Sequence, residues 1–221
     1  MTSRKALTSV PVRKVPKTEL EPSKGLLRII FSKERGAGDG PAIFIDRDGV
    51  INRRRPGDYV LEWSQFFFIP GIREALNQIA SLGLPMIVIS NQAAVGKGLL
   101  DRAGLQEITA QMHRALAADG TFLAAAYYCT HRPDEDCVCR KPKPALLFRA
   151  AEDFNVDLGR SIFIGDSDTD IQAARMAGCA PVLFGSGVGP KSASRADILT
   201  AEGAADLYIL VMRHLRPKRH D

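Results

Sequence analysis

The sequence predicts an α/β fold: a parallel sheet covered on both faces by helices, three layers in all. Two observations point there. From Pro41 onward, short apolar runs alternate with amphipathic stretches, and strands alternating with helices close into right-handed βαβ units. Several apolar runs also end directly in carboxylates, hydroxyls or amides, at the strand ends where such sheets bind ligands.

Residues 1–40 read as a basic, flexible N-terminal extension. Pro11, Pro16 and Pro22 interrupt any helix, and Gly36, Gly38 and Gly40 close the stretch. Only 26–31 (Leu-Leu-Arg-Ile-Ile-Phe) could pack against the body, as a strand or a short helix. The prolines and acids fit a disordered tail better than a transit peptide. The folded domain is expected over 41–221. Its first strand is 42–45 (Ala-Ile-Phe-Ile). Ile72, Leu76 and Ile79 put one apolar face on a helix over 71–81. A second strand follows at 84–89. Asp101 can cap a helix whose buried face is Leu105, Ile108, Met112 and Leu116. Residues 123–128 form a third strand, 144–154 a helix and 161–164 a fourth strand. Then come a helix at 171–177 closed by Gly178, a fifth strand at 181–184 and a terminal helix at 201–215.

Composition narrows the function classes. With 221 residues, 45% hydrophobic and 25% charged, the chain is an ordinary globular protein. No apolar run approaches the ~18 residues that span a bilayer, and the first residues lack the apolar core of a secretory signal. A cytoplasmic protein without a membrane partner is expected. Net charge is +5, but it is unevenly placed. Residues 1–40 hold nine Lys and Arg against four acids, while 41–221 hold 21 of each. A neutral body argues against a nucleic-acid-binding fold.

The strand ends carry the chemistry. After the first strand comes Asp46-Arg47-Asp48-Gly49-Val50-Ile51-Asn52. Two carboxylates so close repel unless a cation sits between them, and hard oxygen ligands suit Mg²⁺; a solvated turn is an equal reading of this segment alone. Ser90-Asn91-Gln92 follows the second strand, with Gly96-Lys97-Gly98 beyond. A hydroxyl and free N–H groups near a helix start can cradle phosphate, although Ser and Asn also end strands for conformational reasons. The fourth strand runs into Gly165-Asp166-Ser167-Asp168-Thr169-Asp170. Helix-dipole complementarity accounts for Asp168 and Asp170, but less well for Asp166 on the strand end itself.

Cys129, His131, Cys137 and Cys139 lie within eleven residues of one another. Cys-x-His and Cys-x-Cys pairs supply the four N and S ligands that a tetrahedral structural Zn²⁺ requires; ordinary reduced thiols are the other reading, a disulfide being disfavoured inside a cell. A loop with so few apolar residues would draw its folding energy from the metal. Cys179, in apolar company, reads as a core thiol.

Together these segments resemble the haloacid dehalogenase-like phosphatases, and within them the zinc-containing group of heptose bisphosphate phosphatases and histidinol-phosphatases. The resemblance spans about 42–185. It implies a three-layer Rossmann-like sheet with a zinc-bound loop and no large cap domain, and motif spacing agrees: the chain between the first two motifs is too short for one. It implies Asp46 as nucleophile and Asp48 as general acid and base. Mg²⁺ would lie on the Asp46 carboxylate, the Asp48 main-chain carbonyl and Asp166. Ser90 and Lys141 would hold the transferring oxygens. Arg140, Asn91, Gln92 and Tyr59 would contact the remainder of the substrate, and a structural zinc would brace the loop that aims Arg140 and Lys141.

Two departures qualify the likeness. Ser167 stands where many heptose-type relatives have Lys. The loop Arg53-Arg-Arg-Pro-Gly-Asp-Tyr59 is long and basic, either to receive a second phosphate at Arg53–Arg55 or as a solvated turn. The expected substrate is D-glycero-D-manno-heptose 1,7-bisphosphate, losing its 7-phosphate, with histidinol phosphate second and DNA 3′-phosphate or polyanion binding behind. The chain is expected to act as a monomer on a small phosphorylated molecule.

Overall fold

A computed structural model describes residues 25–32, 39–55, 57–185 and 198–215. In order they form β1 (Leu26–Ile30), β2 (Ile43–Ile45), α1 (Ile72–Ala80), β3 (Met86–Asn91), α2 (Ala93–Gly96), α3 (Arg102–Ala118) and β4 (Ala125–Cys129). Then follow α4 (Ala145–Phe154), β5 (Ile162–Gly165), α5 (Asp168–Ala177), β6 (Ala180–Phe184), β7 (Leu199–Ala201) and α6 (Ala204–Leu215). The strands make one sheet in the order β1-β4-β3-β2-β5-β6-β7. All neighbours are parallel except β1, which pairs antiparallel with β4.

Two-residue periodicity divides the core. Ile43, Ile45, Met86, Val88, Ile162 and Ile164 face a cluster filled by α1, α3 and α6. Phe44, Ile87, Ile89 and Phe163 face a second cluster filled by α4 and α5. The strands are apolar on both sides because both faces are covered. The Asp101 carboxylate accepts from Gly104 N–H at 2.7 Å, and Leu105, Ile108, Met112 and Leu116 are buried as the spacing requires. Gly178 ends α5 with φ 81°, the left-handed closure that glycine adopts without penalty. Cys179 is buried, and burial pushes its thiol up to about 12. Among the described residues no helix is long and apolar enough to cross a membrane.

One open reading is decided and one boundary shifts, each for a physical reason. The 26–31 run is a sheet strand, paired along its length with β4 and tied to α4 by Arg28, whose Nη1 lies 2.8 Å from Asp153. The terminal helix begins at Ala204, three residues late, because 199–201 pair with β6 and Gly203 breaks the chain before the helix. A three-residue strand carries too little periodicity to be read from sequence. Residues 1–24 and 33–38 of the expected extension lie outside the described residues.

Candidate active site

β3, β2 and β5 are adjacent and parallel, so their carboxyl ends open onto one place. Asp46 follows β2, Ser90 and Asn91 finish β3, and Asp166 follows β5. A cleft of about 760 Å³ lies above them, lined by Asp46, Asp48, Ser90, Arg140, Lys141 and Asp170 among others. The segments found separately at strand ends therefore form one site.

Asp46 and Lys141 are buried at its floor. The Lys141 ammonium lies 2.8 Å from Asp46 and 2.6 Å from Asp170, and donates to the Ile89 carbonyl at 3.0 Å. Burial, then repulsion from Asp170 and Asp166, outweighs the attraction of Lys141 and lifts the Asp46 carboxyl to about 7. Burial likewise raises Asp166. Gly49 makes room for this: its φ is 99°, and a Cβ there would fall 1.8 Å from an Asp166 oxygen.

Asp48 has a different environment. Its carboxylate receives Arg47 Nη2 at 2.9 Å on each oxygen, Asn52 Nδ2 at 2.9 Å and Gln92 Nε2 at 2.7 Å. Burial opposes ionisation, but Arg47 and these donors hold the group below the usual carboxylate range. Two acids separated by one residue are thus pushed in opposite directions, the pattern that divides roles between paired carboxylates.

The acid cluster fits a hard divalent cation. Asp46, Asp166 and Asp170 bring carboxylate oxygens within 4.8 Å of one another, and burial, with repulsion from neighbouring carboxylates added, raises the proton affinity of Asp46 and Asp166. Positive charge is already drawn to this spot. Arg54 Nη2 lies 2.5 Å from Asp166 and 3.3 Å from the Asp48 carbonyl oxygen, two of the oxygens expected to hold Mg²⁺.

Cys129, His131, Cys137 and Cys139 also converge. Sγ of Cys129 lies 3.5 Å from His131 Nδ1 and 3.6 Å from Sγ of Cys137; Sγ of Cys139 lies 3.3 Å from Nδ1 and 4.0 Å from Sγ of Cys137. Zn–S bonds of about 2.3 Å in a tetrahedron imply S···S edges of about 3.8 Å. The edges match, no disulfide links the four cysteines, and the set fits Zn²⁺.

Several predicted contacts turn inward. Asn91 donates to the Lys141 carbonyl at 3.2 Å and accepts its N–H at 3.1 Å, so its amide fixes the Lys141 backbone. Gln92 donates to Asp48 and, at 3.2 Å, to the buried Ser90 hydroxyl. Tyr59 stands at the mouth, its ring under the Lys97 ammonium at 5.2 Å. Arg140 lines the cleft, with one long contact of 3.5 Å to the His131 carbonyl.

Sequence reasoning gave Arg47 no part in the site, weighed Arg54 only as a second-phosphate contact or part of a solvated turn, and left Asp170 without a catalytic or metal role. Asp170 was read as helix-dipole chemistry, and one of its oxygens does accept from Ser167 N–H and Oγ at the start of α5. The other reaches Lys141. Its burial alongside Asp46 could not be read from sequence; the four-residue step from Asp166 was the available signal.

A HAD-hydrolase-like family model matches residues 138–210. A D-glycero-β-D-manno-heptose-1,7-bisphosphate 7-phosphatase from Bordetella bronchiseptica is 38% identical over 150 residues, 68% of this chain and 83% of that protein. A 7-phosphatase of the α anomer, from Mycobacterium bovis, is 37% identical over 157 residues, 67% of this chain and 82% of that protein. Among solved structures, D,D-heptose 1,7-bisphosphate phosphatase from B. bronchiseptica, complexed with magnesium and phosphate, aligns with TM-score 0.73 and 33% identity. It covers 78% of this chain and 98% of its own. A HAD-like phosphatase from Mesorhizobium loti, with TM-score 0.77 and 24% identity over 90% of this chain and 99% of its own, shares the fold.

Proposed function

The chain belongs to the haloacid dehalogenase-like phosphatases, in the group formed by the heptose 1,7-bisphosphate 7-phosphatases, and from that premise we propose that it removes the 7-phosphate of D-glycero-D-manno-heptose 1,7-bisphosphate with Mg²⁺. One observation carries the proposal: a buried carboxylate, Asp46, ion-paired to Lys141 at the end of the central strand, with Asp48 two residues on and in contact with the same cleft.

In this reading an Asp46 oxygen attacks phosphorus as the bond to the sugar oxygen breaks, leaving an aspartyl-phosphate. Asp48 gives its proton to the departing sugar oxygen. Water then attacks phosphorus, Asp48 takes its proton, and phosphate leaves with Asp46 restored. The Arg47 clamp favours the carboxylate form of Asp48 that the second step needs, while the arriving phosphate dianion favours the protonated form that the first step needs. Lys141 and Ser90 would steady the transferring oxygens, worth hundreds-fold in rate for a single well-placed donor. Asp46, Asp166 and the Asp48 carbonyl would hold Mg²⁺, with Asp170 close by. The ion supplies screening between two negative reactants. Cys129, His131, Cys137 and Cys139 would hold zinc as a brace.

Arg54, Lys97 and Arg140 at the mouth supply positive charge for the substrate's second phosphate. The neutral body supports a small phosphorylated sugar as partner, without nucleic acid or membrane, for a cytoplasmic monomer. Phosphate release with Mg²⁺ should be compared across both heptose 1,7-bisphosphate anomers, histidinol phosphate and 3′-phosphorylated DNA. The highest kcat/KM is expected on one heptose anomer; preference for histidinol phosphate or DNA ends would overturn the substrate.

A further inference from the structure

The N-terminal strand meets the zinc-binding loop directly. Among the described residues, β1 is the outermost strand on its side of the sheet and pairs with β4 alone, which ends in Cys129. Leu26 is paired with Cys129 itself. One residue earlier, the Gly25 carbonyl accepts two bonds from buried Thr130, from N–H at 2.7 Å and from Oγ1 at 2.9 Å. Thr130 lies between two of the four cluster residues, Cys129 and His131.

Gly25 also lies against the third side of that segment. A Cβ at residue 25 would fall 2.1 Å from Cε1 and 2.2 Å from Nε2 of His131, well inside van der Waals contact. The backbone of Gly25 therefore lies flat on the imidazole, and only glycine fits. Gly96, at the end of α2, presses on the same segment: a Cβ there would meet the Thr130 carbonyl oxygen at 2.5 Å and Arg132 N at 2.8 Å. Arg102, in α3, ties β1 down through the Leu26 carbonyl at 2.8 Å.

We propose that Gly25 and β1 are a positioning element for catalysis: they hold the His131 ring and the Thr130 peptide in ligating geometry, and through the zinc-bound loop they aim Arg140 at the substrate. The effect on Lys141 is smaller. Its ammonium and backbone are separately anchored to Ile89 and Asn91, whereas Arg140 has the long contact to the His131 carbonyl. Loss of the brace therefore raises KM and spares kcat. This inference rests on the zinc reading above and extends the site to a strand that lies before the region of family resemblance.

The test uses the full chain with Gly25→Ala, Thr130→Val and, as a β1 control remote from the loop, Arg28→Met. Zinc affinity is read by competition with a chromogenic chelator, and ligand geometry by the visible absorption of the cobalt-substituted protein. Gly25→Ala and Thr130→Val should each weaken zinc binding at least tenfold, alter the cobalt bands, and raise KM several-fold with kcat within about twofold. Arg28→Met should match wild type in all three. If Gly25→Ala does not fold, Thr130→Val, which loses one hydroxyl at constant shape, decides alone. Wild-type zinc affinity and cobalt spectrum in the folded Thr130→Val and Gly25→Ala proteins would overturn the brace. A wild-type chain that takes up no zinc would instead overturn the metal reading beneath it.

Discussion

Replacing Asp46 by Asn should abolish activity and, without metal, make the protein more stable. The carboxyl of Asp46 ionises in the fold at about 7 rather than its ordinary 3.8. Burial is the main cause, with Asp170 and Asp166 adding repulsion that Lys141 only partly offsets. A group whose proton affinity rises on folding makes the folded state bind more protons than the unfolded one. Stability then falls as pH climbs from about 4 to about 7 and levels off above. At 1.36 kcal/mol per pH unit the full gap is worth at most roughly 4 kcal/mol. Asn has the shape of the protonated acid and escapes the penalty. Even ~1 kcal/mol would raise Tm by about 2–4 °C in a domain of this size. The assay is thermal unfolding in chelator at pH 5 and pH 8, for wild type and Asp46→Asn. The variant should gain most at pH 8 and less than half as much at pH 5, and Mg²⁺ should narrow the pH 8 gap. Equal stability of the two proteins at pH 8 in chelator, or a less stable variant, would refute the electrostatic account.

Other expectations follow from the same contacts. Lys141→Met leaves Asp46 and Asp170 without their shared ammonium and should lower kcat by about 10²–10³, measured by steady-state phosphate release. Arg47→Met removes the clamp on Asp48, so the acid limb of the kcat–pH profile should move to higher pH, with a stability loss of roughly 1–3 kcal/mol seen by denaturant melts. Arg54→Ala frees Asp166 and the Asp48 carbonyl and should tighten Mg²⁺ binding several-fold, read by calorimetry. Cys139→Ser should lose zinc in metal analysis, with KM for the bisphosphate rising because Arg140 follows that residue directly.

The fold and the centre of the site were legible where chemistry interrupts an apolar run. Asp46 and Asp166 each follow a buried strand immediately and Ser90 lies at the end of one, and parallel strands place such residues together. The convergence of Cys129, His131, Cys137 and Cys139 was legible from four rare ligand residues at short spacing. Less legible was which way polar side chains turn. Asn91 and Gln92 look free to meet substrate, but the fold engages them with Lys141 and Asp48, contacts spanning 50 and 44 residues. Arg47 between two acids reads as part of a solvated turn, but the fold buries it. Asp170 serves a helix start and the buried Lys141 ammonium at once, and the first role hides the second. β1 stayed ambiguous because its sequence suits an edge strand or a short helix, and pairing with a segment about a hundred residues away decided it.

The central claim is a covalent bond between phosphorus and Asp46. Rapid mixing of enzyme with excess substrate and Mg²⁺, an acid quench within one turnover, and peptide mapping by mass spectrometry would look for it. A phosphoryl group on Asp46, absent in Asp46→Asn, is the predicted result. Phosphate on any other residue, or steady turnover by the Asp46→Asn protein, would contradict the account.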